Sequence, residues 1–416
     1  MKPPLLYIVH RIPYPPNKGD KIRSYHTLNY LAKSFDIYLG AFVDDPTDWQ
    51  YESELKPFCK NICLVGLNQK WAKIRSLSGF VKGVAMTIPY YHSNKLQAWV
   101  DLVVNKYDIK QAVVFSSAMA QYLSGRKYSD IQRIIDFVDI DSDKWAQFSK
   151  SQTWPMSSIY SRESRYLLSL ERQIAKEFDV NYFVSETEAK HFTSLAPEST
   201  HKTDHFNNGV DTEYFSPQID FENPYQVDRK IITFTGAMDY WANVDAVEWF
   251  ANAVFPQITA KYSNCYFYIV GSNPTGQVKS LAKMKNIVVT GRVTDVRPYL
   301  NYANISVAPL RIARGIQNKV LEAMAMSCLV VASPAAAEGI TANTGTDLVV
   351  ANNAEEFTRS CLNLLKNPNI QMRTAARSCI LENYLWSQNL DKLLNRLHSI
   401  PVNTNTAKTQ NESQAI

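Results

Sequence analysis

Long apolar runs are missing from this sequence: no stretch approaches the roughly eighteen apolar residues that a membrane-spanning helix needs. The opening Met1-Lys2-Pro3-Pro4 does not read as a signal peptide, so a cytoplasmic location is expected. Cysteine is scarce. The six in 416 residues (Cys59, Cys63, Cys265, Cys328, Cys361, Cys379) are scattered, several inside apolar strand-like runs. That usage predicts reduced, buried thiols. Cys59 and Cys63 have no second pair or matching histidine nearby, and the seven histidines form no cluster, which argues against a zinc site. A strong charge of one sign is also absent. The formal net charge of +5 comes without the dense Lys/Arg stripes that nucleic acid would want, yet it suits an anionic substrate or an acidic membrane surface. No repeat and no low-complexity tract is found.

What is present is a globular composition, 45% hydrophobic and 20% charged, on a chain too long for one ordinary core. Two domains are expected. Short apolar runs alternate with helical patterns: strands over 5–10, 37–43, 62–67, 112–116 and 131–138, and a long amphipathic helix over 161–179 with Tyr166, Leu170 and Ile174 on one stripe. A strand over 180–185 and a helix from Thr187 follow, then a polar, proline-containing segment, 217–229, as the best linker. Beyond it the alternation restarts: strands at 231–235, 266–270, 287–290, 305–308 and 329–332, and helices at 243–258, 354–365 and 386–397. The expected class is α/β, with two doubly wound parallel sheets and a cleft between the carboxyl ends of their strands. The divisions expected are a first domain over 1–217, a second over 218–380, a returning helix over 381–400 and a disordered tail over 401–416.

One stretch on that rim raises a chemical question. "APLRIARGIQNKVLEAMAMSCLVVAS", residues 308–333, places Arg311, Arg314, Gly315 and Lys319 between two buried strands. If a helix starts near Gln317, Lys319 and Glu322 face the same side. A helix amino end with free N–H groups, flanked by cations and a glycine, makes a plausible diphosphate cradle. Glu322 could accept from two neighbouring ribose hydroxyls. The plainer reading is a solvated Lys-Glu pair with two exposed arginines.

Several segments, in the right order over residues 4–397, make the reading specific. "RGIQNKVLEAMA" resembles the donor-site segment of retaining glycosyltransferases of the GT-B fold, family four. "FVSETEAKHF" and "NNGVDTEYF" resemble that family's interdomain passage, and "FTGAMDYWANVDAVEWF" its first nucleotide-domain strand and helix. "VVTGRVTDVRPYLNYANISVAPL" resembles its base-binding loop, where Gly291 and Arg292 fall. "YPPNKGDKIRSYHTLNYLA" and "IIDFVDIDSDKW" look like the sugar transferases of exosortase (PEP-CTERM) exopolysaccharide clusters.

The resemblance implies two Rossmann-like domains, the first for the acceptor and the second for a nucleotide sugar of UDP or GDP type. It implies transfer of a hexosyl group with retention to a lipid-linked or growing exopolysaccharide at the inner membrane face, with no cofactor and no metal. Glu322 matches the second glutamate of the family's E-x7-E pattern, and Arg314 stands where the first would be. The diphosphate-binding cations usual after the first strand of the second domain are missing from Gly236-Ala237-Met238-Asp239 and Asn243. Arg314 and Lys319 are therefore expected on the diphosphate, with Arg311 supporting and Gly236, Gly291, Arg292 and Gly315 lining the donor site. A non-catalytic nucleotide-binding component of a polysaccharide assembly complex is the alternative.

On the first domain, Gly19 is expected to let the backbone approach donor phosphates and acceptor, with Lys18, Lys21 and Arg23 meeting an acceptor phosphate. Asp139 and Asp141, in "DFVDIDSDKW", are expected to bind acceptor hydroxyls. A calcium loop is excluded by Lys144 and Lys150. His10 ends the first strand and reads either as a satisfied strand-end histidine or as a catalytic one. Residues 70–84, "KWAKIRSLSGFVKGV", read either as a helix facing the core with a basic rim or as an interfacial helix on an anionic membrane.

Overall fold

A computed structural model describes residues 2–16, 18–313 and 315–399. Arg314 and the expected tail over 401–416 lie outside the described residues. The chain forms two compact units, the first running from the amino end to Phe206 and again from Leu390, the second from Asn207 to Asn389.

The first unit holds a seven-stranded sheet built from β1 (Pro4–Val9), β2 (Asp36–Val43), β3 (Cys59–Gly66), β4 (Gln111–Phe115), β5 (Gln132–Val138), β6 (Val180–Phe183) and β7 (Thr203–His205). Their order is β3-β2-β1-β4-β5-β6-β7, every neighbouring pair parallel. Parallel strands are covered on both faces, which is why β1 reads as a continuous apolar run with Leu5 to Val9 all fully buried. The second unit holds β8 (Lys230–Thr235), β9 (Cys265–Val270), β10 (Ile287–Gly291), β11 (Ile305–Ala308), β12 (Leu329–Ala332) and β13 (Val349–Val350) in the order β10-β9-β8-β11-β12-β13, again all parallel. In each sheet the strand order reverses once, between β1 and β4 and between β8 and β11. In sheets of this kind the loops leaving the two strands at such a reversal run to opposite faces and leave a crevice that holds ligands.

Four local expectations need correction. The segment 217–229 is packed on the second unit: Tyr225 is buried and donates to the Tyr299 carbonyl at 2.7 Å, and Tyr302 donates to the Phe221 carbonyl at 2.5 Å. Phe221 and Tyr225 pack against the core of that unit, so the segment is no free connector. The helix expected over 243–258 is interrupted: Trp241–Trp249 passes through a π-helical turn, Phe250–Val254, into Phe255–Lys261. Pro256 lacks the N–H that a continuous α-helix would use there.

The long helix, Met156–Glu177, buries Glu163, Leu167, Glu171 and Ile174, whereas Tyr166 is exposed and Leu170 half-buried. The glutamates turn inward because Glu163 accepts the N–H groups of Met86 and Thr87, and Glu171 accepts the N–H and hydroxyl of Ser142. Burial, with a contribution from the Asp141 charge, pushes the Glu171 carboxyl up to about 8. A helix absent from the sequence reading, Ile370–Asn383, is capped by the Asn369 side chain on the Met372 N–H.

Candidate functional site

In the second unit the loop after β8 is shaped by backbone crowding. Gly236 and Gly271 have φ of 155° and 156°, and a Cβ on Gly271 would lie 1.7 Å from the Gly236 carbonyl oxygen. Gly236 also clears space for side chains: a Cβ there would meet Asn243 Nδ2 at 2.8 Å and Lys319 Nζ at 3.3 Å.

Across the switch point, the helix Asn318–Ala325 brings Lys319 into that space. Its ammonium donates to Asn243 Oδ1 and lies 4.4 Å from the centre of the Phe234 ring, while Asn243 Nδ2 donates to the Ala237 carbonyl at 2.9 Å. Lys319 makes no ion pair among the described residues. Burial lowers it from the ordinary lysine value to about 7, an effect the charge of Glu322 opposes. Glu322, one turn on, is raised by burial to about 7, with Lys319 opposing. This is a cation held by a neutral amide, with no carboxylate at ion-pair distance among the described residues, beside a glycine at the carboxyl end of the central strand.

The remaining donor-side expectations divide. Arg311 is exposed and engaged with Asp245, its Nε 2.9 Å from Oδ2 and its Nη2 on Oδ1, so it would have to leave that carboxylate to meet a phosphate. Gly291 ends β10 with its carbonyl accepting the Gly271 N–H at 3.2 Å, and Arg292 beside it is exposed. Gly315 has a left-handed φ of 61° in the turn before the helix, and its carbonyl accepts from the Gln317 side chain.

The first unit corrects the acceptor-side expectation. Arg23 is 1% exposed and cannot face a ligand. Its Nε and Nη2 bind the two oxygens of Asp136 at 2.7 and 3.1 Å, Nη1 donates to the Phe206 carbonyl at 3.1 Å, and the guanidinium lies 3.7 Å from the centre of the Phe206 ring. Lys21 is likewise buried, on Asp48 at 2.6 Å. Both point inward from the helix Gly19–Leu31, two acids, a backbone carbonyl and one ring having taken the place of water. Lys18 is exposed. Gly19 lacks a left-handed φ, and a Cβ there would meet nothing within 4 Å, so the fold itself does not demand glycine.

Asp139 and Asp141 share Lys144, at 2.8 and 3.4 Å, and Ser117 donates to Asp141 at 3.3 Å. Burial works against the Lys144 charge, but Asp141 and Asp139 prevail and hold it above the ordinary lysine value. The two aspartates follow Val138, whose φ of 69° is a rare conformation for a β-branched residue.

A cluster of which the sequence indicated only His10 gathers where β1 and β2 end. Arg11 binds Asp44 through Nε and Nη2, both at 3.0 Å, and Asp20 through Nη1 at 2.6 Å. His10 Nε2 shares Asp20 at 3.2 Å while its ring stacks on Phe115 at the end of β4, 5.6 Å between centres. Burial resists ionisation of Asp20, but His10 and Arg11 hold its carboxyl well below the usual range. His10 Nδ1 is buried with no hydrogen-bond partner among the described residues. No sequence spacing announces this group, because Asp44 reaches Arg11 only through the pairing of β2 with β1.

Residues 229–367, all within the second unit, match the family model described as Glycosyl transferases group 1. Over 393 residues, 89% of this chain, it is 21% identical to an uncharacterized 44.6 kDa protein in the cps region of Klebsiella pneumoniae, 94% of which is covered. Sucrose-phosphate synthase from Thermosynechococcus elongatus superposes with a TM-score of 0.68 at 16% identity, over 96% of this chain and 100% of that one. Anabaena HepE in complex with UDP superposes with a TM-score of 0.67 at 11% identity, over 96% of this chain and 100% of that one. At such identities the likeness shows the fold, and the fold is GT-B.

Proposed function

We propose that this GT-B chain is a glycosyltransferase that moves a hexosyl group, with retention, from a nucleotide-diphosphate sugar to a lipid-linked or growing exopolysaccharide acceptor. The observation that carries the reading is Lys319: a desolvated ammonium with no carboxylate partner among the described residues, opposite Gly236 at the switch point of the second sheet. A diphosphate would supply negative charge in direct contact with it. Glu322, one turn further along the same helix, is assigned the ribose hydroxyls, which a carboxylate can accept from in pairs. The glycosyl transferases group 1 match over 229–367 and the fold shared with a UDP-bound protein support this assignment, and the cps-region relative supports a polysaccharide acceptor.

In the reaction the sugar–phosphate bond breaks as the acceptor oxygen bonds to the same face of the sugar, and the leaving diphosphate takes the acceptor proton. The protein's main contribution is electrostatic: Lys319 stabilises charge as it grows on the leaving diphosphate. No metal or cofactor is assigned to this step. Arg314 and Arg311 are proposed as further cations on the diphosphate, the latter after release from Asp245.

The test is a thermal-shift panel of UDP, GDP, ADP and their sugars on wild type and Glu322→Ala, followed by turnover assays. One nucleotide should raise the melting temperature by mass action and lose that effect in the variant. A flat panel would refute the donor site. Arg314, standing where the family has its first glutamate, favours a second reading as a non-catalytic nucleotide-binding component. Nucleotide binding without consumption of the sugar donor would select it.

On the acceptor side, His10, whose side chain is 17% exposed at the end of the first strand, is proposed to orient the attacking hydroxyl. His10→Ala should lower kcat at least about tenfold, the worth of one well-placed hydrogen bond, with nucleotide affinity unchanged. Unaltered turnover would make His10 a packing residue.

A further inference from the structure

We propose that the segment from Gln69 to Lys82 in the first unit is a docking surface for an anionic lipid bilayer. Its two helices, Gln69–Ser76 and Ser78–Lys82, are amphipathic the wrong way round. The residues turned to the protein are small, Ala72, Ser76 and Gly79, whereas Trp71, Ile74, Leu77, Phe80 and Val81 are 69%, 58%, 55%, 40% and 91% exposed. Isolated apolar side chains on a surface need no explanation, but five within eleven residues form a patch, and such patches mark interaction sites. The core-facing reading of this stretch is therefore overturned: its large side chains have no core to face.

The patch is held in place. Arg162, on the long helix Met156–Glu177, donates to the Gly79 carbonyl at 2.9 Å and to that of Val84 at 3.4 Å, with its guanidinium 4.4 Å from the centre of the Phe80 ring. The buried Glu163 carboxylate accepts the Met86 and Thr87 N–H groups at 2.9 and 3.2 Å. Two buried or half-buried charges thus fix a segment that leaves its own apolar side chains in water, an arrangement whose cost calls for an occupant.

Charge selects the occupant. From Lys56 to Val100 the chain contains seven lysines and arginines and no aspartate or glutamate. Lys70, Lys73, Arg75 and Lys82 are exposed around the apolar side chains. A two-fold pairing of this patch with a second copy would set those cations against one another. An anionic bilayer instead offers phosphate oxygens at the level of the ammonium groups and acyl chains below them, and tryptophan suits that boundary. Among the described residues no helix is long and apolar enough to cross a membrane, so the contact is peripheral.

The test needs no assumption about the donor site, because it reads binding and not transfer. Full-length protein is sedimented with phosphatidylcholine vesicles, with and without phosphatidylglycerol, at low and high salt. Binding should appear with phosphatidylglycerol, weaken with salt, and fall at least about tenfold in Ile74→Asp/Val81→Asp, since charged groups do not enter the acyl boundary. Both side chains are exposed, so the variant should keep its urea-unfolding midpoint and its nucleotide affinity. The proposal is overturned by wild type that stays in the supernatant at low salt, or by a variant that binds as well as wild type. A wild-type dimer in solution that the same variant dissociates would also overturn it, making the patch a self-interface.

Discussion

Lys319→Ala is expected to weaken binding of a nucleotide sugar by about 1.5–3 kcal/mol, roughly ten- to a hundredfold, the range of a hydrogen bond to a charged group. A larger loss is expected in kcat, because charge on the diphosphate is greatest as the sugar departs. The pH dependence separates this role from mere packing. Burial holds the free ammonium near 7, so above that pH binding must first recover a proton. Affinity for a nucleotide sugar, whose phosphodiesters do not titrate near neutrality, should therefore fall as pH rises through 7. Ionisation of Glu322, also held near 7, adds negative charge over the same window and steepens the fall. Lys319→Arg keeps its charge at every accessible pH and should flatten the curve. Calorimetric titrations from acidic to alkaline pH would measure both. An affinity indifferent to pH in wild type would place the ammonium away from the diphosphate.

Arg23→Ala should destabilise the protein by about 3–5 kcal/mol, the usual effect of removing one partner from a buried ion pair. Asp136 is 3% exposed, and without Arg23 its carboxylate keeps, among the described residues, only the Val138 N–H at 3.1 Å. Burial already raises that carboxyl, with Arg23 opposing, and the variant should raise it further. The sign follows. A carboxyl raised in the folded state binds its proton more tightly than in the unfolded chain, so stability is greatest below the unfolded value and is lost as pH climbs through the folded one. The deficit of Arg23→Ala should accordingly be smaller at mildly acidic pH than at alkaline pH. Arg23→Met/Asp136→Leu, which removes both charges, should recover much of the loss. Urea unfolding at several pH values measures all three. Unchanged stability with lost transfer would return Arg23 to the acceptor site.

These two residues show what was legible in the sequence. Strand positions are legible because parallel strands are covered on both faces: the runs at Leu5–Val9 and Ile305–Ala308 need no partner to be recognised as buried. Lys319 and Glu322 are legible as neighbours because three residues is one turn of a helix. Arg23 has the same chemical type as Lys319 and sits in an equally basic stretch, yet one side chain is paired with a carboxylate in the interior and the other is held by a neutral amide. Sequence cannot separate them, since Asp136 lies 113 residues from Arg23 and is brought to it only by the order of strands in the sheet. Glu163 and Glu171 are hidden for a related reason: an acid on a buried stripe looks misplaced until the backbone N–H groups that it accepts are visible.

By itself, then, the sequence determined the alternation of strands and helices, the parallel class of both sheets, and the helix that carries Lys319 and Glu322. All of these follow from local periodicity and from the burial that a parallel sheet imposes. Only the tertiary structure decided which cations are spent inside the protein and which remain for a ligand. It alone placed His10 beside Arg11, Asp20 and Asp44, and turned Trp71, Ile74 and Val81 outward. Those outcomes depend on strand pairing and helix docking across tens of residues, and a charge or a ring has no orientation until its distant neighbour is in place.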